Sequence, residues 1–416
     1  ALTDADYNVA IGISALSADT LGSRSIAIGR NALQAQNFTT ATDSHNTAIG
    51  YSAGTSVSTG RYNILIGNDS GVALTTGANN VAIGYEALAT EDANGDNVAV
   101  GYRALKALNA GADSFNTAVG YLAGTNMTTG LENAVYGSFA GDALTDADYN
   151  VAIGGSALSG DTLGSRSVAV GFGTLSAQNF TTATDAYNVA VGYHAGNDIT
   201  TGIENVIIGG NAGDALTDGD KNVAVGTAAL GSDTRGNFST AIGHGALNSS
   251  NTTNDTDMYN TAVGYLAGTA VTTGTLNTIV GGLAGDAITT GYSNVALGYL
   301  ALSTDTLGAT SIAIGTSALS NQNFTTATTA YNVAIGDTAG NAITTGVSNT
   351  LIGGLSGDVL TDADQNVALG YASLSSDTLG SNSVAIGYAA LVAQNFTTAT
   401  NSYNTAVGAS AGAAVT

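Results

Sequence analysis

The chain has 416 residues, 57 of them Gly, with no Pro, Cys or Trp and only 9% charged residues. Its net charge of −23 sets 31 acidic residues against eight Lys and Arg, a surface that repels phosphate backbones and anionic membranes and argues against nucleic-acid and lipid partners. With no Cys there is no disulfide framework, and the sequence shows neither an apolar stretch near the roughly 18 residues of a membrane span nor a charged-then-apolar leader. It starts and stops in mid-repeat, so it is expected to be a segment of a longer protein.

A five-residue phrase, first Asn8-Val9-Ala10-Ile11-Gly12, occurs 23 times, the last as Asn404-Thr405-Ala406-Val407-Gly408. Its closing glycines fall at Gly12, Gly29, Gly50, Gly67, Gly84, Gly101 and onward, in steps of 17 except once in every four, when the step is 21, or 19 in one case. Gly120, Gly192, Gly264, Gly336 and Gly408 lie 72 apart, which defines a four-coil superrepeat. A period this short and strict predicts an all-β parallel β-roll or solenoid of about 23 coils, occupying residues 1–416 as a single repetitive segment.

Each unit is numbered here from its Asn or Ser as position 1. Positions 2 to 4 are β-branched and small, as in Val9-Ala10-Ile11, and predict a strand. Gly at position 5 suits a tight bend. Positions 10 to 14, as in Val72-Ala73-Leu74-Thr75-Thr76, predict a second strand, and a Gly or Asp turn then leads to the next Asn. The long coil carries an insert, Asn37-Phe38-Thr39-Thr40-Ala41-Thr42-Asp43, copied as Asn179 to Asp185, with further copies around Phe324 and Phe396. These loops are expected to project along one edge, and Phe38, Thr40, Phe180, Thr182, Phe324 and Phe396 are the candidate ligand contacts.

Strand residues alternate between faces. Positions 2 and 4, as in Val9 and Ile11, suit the interior of the coil. Position 3 then points outward, yet it too is apolar: Ala10, Ala27, Ala48, and in every fourth coil the larger Leu65, Val135, Ile207, Ile279 and Leu351. An exposed ladder of this kind is rare on a soluble monomer, so position 3 is expected to form a subunit interface of closed two- or threefold symmetry. Asn at position 1 (Asn8, Asn46, Asn63, Asn80, Asn97 and later copies) reads as a ladder, each amide bonding the one above and satisfying the turn.

Asn382-Ser383-Val384-Ala385-Ile386-Gly387 matches, letter for letter, the head-domain repeat of YadA-like trimeric autotransporter adhesins, and Ser25 to Gly29 and Ser167 to Gly171 match most of it. The chain resembles that family along essentially its whole length. The resemblance implies a left-handed β-roll, three chains around one axis, and binding to host matrix. Similar units of the Asn-Thr-Ala-Val-Gly-Tyr type occur in bacteriophage tail fibres.

Other features point elsewhere more weakly. A Thr file at position 13 (Thr20, Thr75, Thr128, Thr145, Thr162, Thr200) is what an ice-binding solenoid would use, or plain β-branched stacking. Tyr at position 6 (Tyr51, Tyr85, Tyr102, Tyr121) and before the Asn (Tyr7, Tyr62, Tyr149) could serve as sugar platforms or cover the coil ends. Asp pairs at 4 and 6, 146 and 148, and 255 and 257 fit no calcium loop and read as solvated turns. Three His, no Cys and no nucleophile, zinc or phosphate motif leave no catalytic set, although some parallel β-helices cleave polysaccharides. The reading is therefore an acidic structural and adhesive fibre segment, without cofactor or metal. Its expected location is extracellular, on a cell surface or in a virion tail fibre. It is expected to associate with itself, as a homotrimer on the resemblance, and with a host-cell or matrix ligand, protein or glycan.

Overall fold

The structure, a computed structural model, describes residues 5–416. It is an all-β parallel solenoid of about 23 coils with no helix among the described residues. The chain divides into two compact units, Ala1–Asn205 and Val206–Thr416. The first stacks eleven three-residue strands, from Val9–Ile11 to Val189–Val191, and the second twelve, from Val206–Ile208 to Thr405–Val407. Within each unit every coil contributes one rung, and the rungs pair in parallel with like on like: Val81 on Val98, Ala82 on Ala99, Ile83 on Val100.

The expected second strand is absent from ordinary coils: Val72–Thr76 forms turn and bend, with no strand. The reason is backbone handedness. Positions 7 and 9 are left-handed in coil after coil, as at Asp69 and Gly71 (φ 55 and 54) or Glu86 and Leu88 (φ 52 and 51), and two such corners bend the chain too sharply for a strand. The stacking hydrogen bonds nonetheless continue around the coil, with Asp69 N–H donating to Tyr51 O and Ser58 N–H to Thr75 O, both at 2.9 Å. Among the described residues, a second pairing of two residues forms only at the long inserts, Gly22–Ser23 with Thr42–Asp43 and its four later copies.

The interior is narrow, and it is filled by positions 1, 3, 8, 9 and 12. Where position 9 is Leu (Leu33, Leu88, Leu105, Leu158), position 3 is Ala, and both are fully buried. Where position 9 is Gly in two successive coils, position 3 of the second is large. A Cβ on Gly54 would lie 2.5 Å from Leu65 Cδ1, and one on Gly71 would lie 2.8 Å from Leu65 Cδ2. The four-coil rhythm is thus a volume rule of a close-packed core.

Candidate functional surface

Position 3 faces inward, against expectation. Ala27, Ala48, Leu65, Val135, Ile207, Ile279 and Leu351 are wholly inaccessible within one chain and cannot form a subunit interface. Ala10 is exposed because it sits on the first described rung, with one coil stacked on it. Where position 9 is Leu, the coil has room at position 3 for a methyl group and for little more, so there the small residue marks the inside and the β-branched pair the outside. The same chemistry survives with the faces exchanged. Positions 2 and 4 form two outward columns, among them Ile26, Ile49, Ile64, Ile153 and Ile208, about 36 to 41% exposed.

Alternation carries the outward face two residues further on each side, to position 6 and to the residue before the Asn. Aromatic rings occupy many of these edge sites. Tyr85, Tyr102 and Tyr121 stack in a file with centroids 5.4 and 5.2 Å apart and planes within 13°. His45 stacks on Tyr62 and Phe238 on Tyr259 along the other edge, where Arg166 also lies over Tyr149 and Tyr187. Inside a file each ring turns its faces to its neighbours and its rim to solvent, so it offers no flat platform to a sugar. The outward surface is therefore a β-branched ribbon bordered by aromatic and cationic rails.

Three further files are structural in their contacts. Asn63 Oδ1 accepts the N–H of Asn80 at 3.0 Å, and Asn63 Nδ2 donates to Gly77 O at 2.9 Å. The same pair of bonds joins Asn46 to Asn63 and Gly60, Asn80 to Asn97 and Asn94, and Asn97 to Asn116 and Gly95, and Asn8 to Ser25 and Gly22. The ladder is side chain to backbone, with amide-to-amide contacts longer, at 3.3 Å between Asn63 and Asn46. Along the Thr file, Thr145 donates its hydroxyl to Thr162 O and Thr289 to Thr306 O, both at 2.9 Å, which commits the donors an ice-binding array would present. The insert phenylalanines are not projecting contacts: Phe38, Phe180 and Phe324 are buried and Phe396 half-buried. Phe38, Phe180 and Phe396 lie against Gly22, Gly164 and Gly380 of the preceding coil, where a Cβ would clash with the ring. Thr40 and Thr182 are exposed on the same loops.

Sequence reasoning missed a buried polar column at position 12. Asp19, Asp161, Asp305 and Asp377 are fully buried, and each accepts from the Gln one coil on, as Asp161 does from Gln178 Nε2 at 2.6 Å. The signal was present: position 12 is Asp or Gln mostly where position 9 is Leu, and apolar where it is Gly. Of the Asp pairs, Asp4 lies outside the described residues. Among the described residues no cluster of three or more His, Cys, Asp or Glu is placed to hold a metal.

Burial holds the carboxyls of Asp142, Asp286, Asp305 and Asp358 above the usual carboxylate range, and Asp142, Asp286 and Asp358 each leave Oδ1 buried without a partner. Glu86 moves the opposite way, to about 2, chiefly through its hydrogen bond from Lys106. A raised acid binds its proton more tightly in the folded chain. Its contribution to stability is full below the unfolded value near 4 and is lost as pH rises through the folded value. That of Glu86 is present above its unfolded value and lost only as pH falls toward 2. Four groups against one, with the net charge of −23 relieved in the same direction, predict a melting temperature that rises as pH is lowered from 7 to 4.5. A steady fall over that interval, read by circular dichroism, would contradict it.

No family model matches the chain, and no curated protein is found similar to it.

Proposed function

We propose that the chain is a structural and adhesive segment of an extracellular fibre. Copies associate through the outward aliphatic ribbon, and the exposed turns and insert loops face a surface ligand, protein or glycan. One observation carries the reading: within each unit an in-register sheet presents two outward columns of mostly β-branched side chains, interrupted by Ala134 and Tyr136 in the first unit and by Leu297 and Leu369 in the second. Eleven rungs at about 4.8 Å, each three strand residues wide at roughly 3.3 Å, give a ribbon of about 520 Å² per copy in the first unit alone. That is about two thirds of the roughly 800 Å² per partner of a standard interface, and the aromatic rails on either side extend it. A contiguous, largely apolar face of this size lies at the upper end of what soluble monomers expose, where such patches are often functional. The likeness of Asn382–Gly387 to adhesin head repeats supports the same reading and favours three copies.

Sedimentation velocity provides the test. The wild-type chain, 40.7 kDa as a monomer, is expected to sediment as two or three copies at micromolar concentration. Replacing Val81, Ile83, Val98 and Val100 with Asp is expected to give a folded monomer, because each unpaired carboxylate buried at the interface costs several kcal/mol, at least about a thousandfold in Kd together. A wild-type monomer at 100 μM would retire the self-association.

A further inference from the structure

The second four-coil set departs from the others at one corner. Position 7 of its first coil is Glu86, position 7 of its second is Arg103 and position 10 of its second is Lys106; the equivalent residues elsewhere, such as Ser14, Asn31 and Gln34 or Ser156, Gly173 and Ser176, carry no charge. The three side chains converge. Arg103 Nε and Lys106 Nζ meet the same oxygen, Glu86 Oε2, at 2.8 and 2.6 Å. Arg103 also lies over the rings of Tyr102 and Tyr85, at 5.0 and 5.8 Å. Beside the cluster opens a cleft of about 330 Å³ lined by Thr90, Arg103, Lys106, Leu122, Thr125 and Asn126, at the lower end of the range of small-ligand sites.

The chemistry of the lining is specific. Glu86 fixes both cations in place and leaves the cluster at a net +1, in a molecule of net −23. Lys106 retains donor capacity beyond its one carboxylate bond, as do the terminal nitrogens of Arg103. Thr90 and Thr125 line the cleft and bring hydroxyl groups to it, and Leu122 with Ala107 supplies an apolar patch. A single positive charge suits a monoanion. Hydroxyls beside an apolar patch suit a polyol ring. The surrounding negative field disfavours a polyanion.

We propose that this cleft binds one carboxylated sugar residue, its carboxylate held by Arg103 and Lys106 and its hydroxyls by Thr90 and Thr125. The inference rests on the adhesive part of the reading above and names the glycan chemistry that part would use. It is tested by titrating the full chain calorimetrically with glucuronate, glucose and acetate at fixed ionic strength. Glucuronate is expected to saturate in the millimolar range, at least tenfold more tightly than glucose or acetate. Lys106→Gln and, separately, Arg103→Gln are expected to weaken it at least tenfold, while Lys221→Gln, far along the chain, leaves it unchanged. Acetate binding as tightly as glucuronate would overturn the sugar assignment. Binding that survives Lys106→Gln, or no saturation at all, would overturn the site. The oligomer mass is read on the same samples: loss of glucuronate binding with association intact removes this site alone, and binding by a monomer removes the self-association alone.

Discussion

Gly84→Ala is expected to destabilise the first unit by at least about 4 kcal/mol, at the severe end for a single substitution. Gly84 has φ +139, a conformation open almost only to glycine. An added Cβ would lie 2.6 Å from the carbonyl carbon of Gly101 and nearer still to its oxygen. The obstacle is backbone, and it cannot swing away. Nor can the next coil move, because Gly101 stands in the same relation to Gly120, and Gly120 to Gly137. The strain is therefore passed along the stack instead of being absorbed. For a unit of this size the loss corresponds to a drop of roughly 8 to 16 °C in Tm. Two glycines serve as controls. Gly210 has an ordinary φ and nothing within 4 Å of the place an added methyl group would take, so Gly210→Ala is expected within about 0.5 kcal/mol of wild type. Gly111 also has open space but φ +72, which isolates the backbone cost at about 1 kcal/mol. Thermal melts in which Gly84→Ala and Gly210→Ala coincide would contradict the packing described.

Leu65→Ala is expected to cost about 4 kcal/mol, near the upper end of large-to-small core changes. Leu65 is fully buried, and its two methyl groups occupy the places that Gly54 and Gly71 leave empty. Those glycines have φ 57 and 54 and no side chain to swing inward, so the cavity cannot close. Val135→Ala, at the equivalent rung of the next set, removes less volume and is expected to cost about half as much. The readout separates the two assignments of this position. A core residue lowers the melting temperature and leaves the interface chemistry alone; an interface residue changes the mass and leaves the melting of the monomer alone.

The period, the strand at positions 2 to 4, the glycine at position 5 and the Asn file were all legible in the sequence, because each is imposed by a contact that repeats in every coil. The facing of the strand was not. Val and Ile are read as interior on hydrophobicity, yet β-branched side chains also suit an exposed pleated surface, and in a coil of 17 residues the scarce quantity is inner volume. The usable signal was compensation between positions: Leu65 is large where Gly54 and Gly71 are small, whereas Ala82 accompanies Leu88. The second strand failed for a related reason. A left-handed corner is plain when Gly carries it, as at Gly71, and hidden when Leu88 or Glu86 does. An insert normally projects, which makes Phe38 look like a loop tip; the bare Gly22 beneath it supplies its seat.

Thiol labelling tests the central claim, that position 3 points inward and positions 2 and 4 form a face shared between copies. The chain contains no cysteine, so Ala82→Cys and Ile83→Cys each introduce a single reporter. A maleimide should not react with the thiol at position 82 in the native state at any protein concentration, whereas the thiol at position 83 should be protected at high concentration and become reactive as the protein is diluted below its dissociation constant. Labelling of position 82 as fast as position 83 in the folded chain would contradict the facing of every rung, and labelling of position 83 at a rate independent of concentration would contradict the shared face.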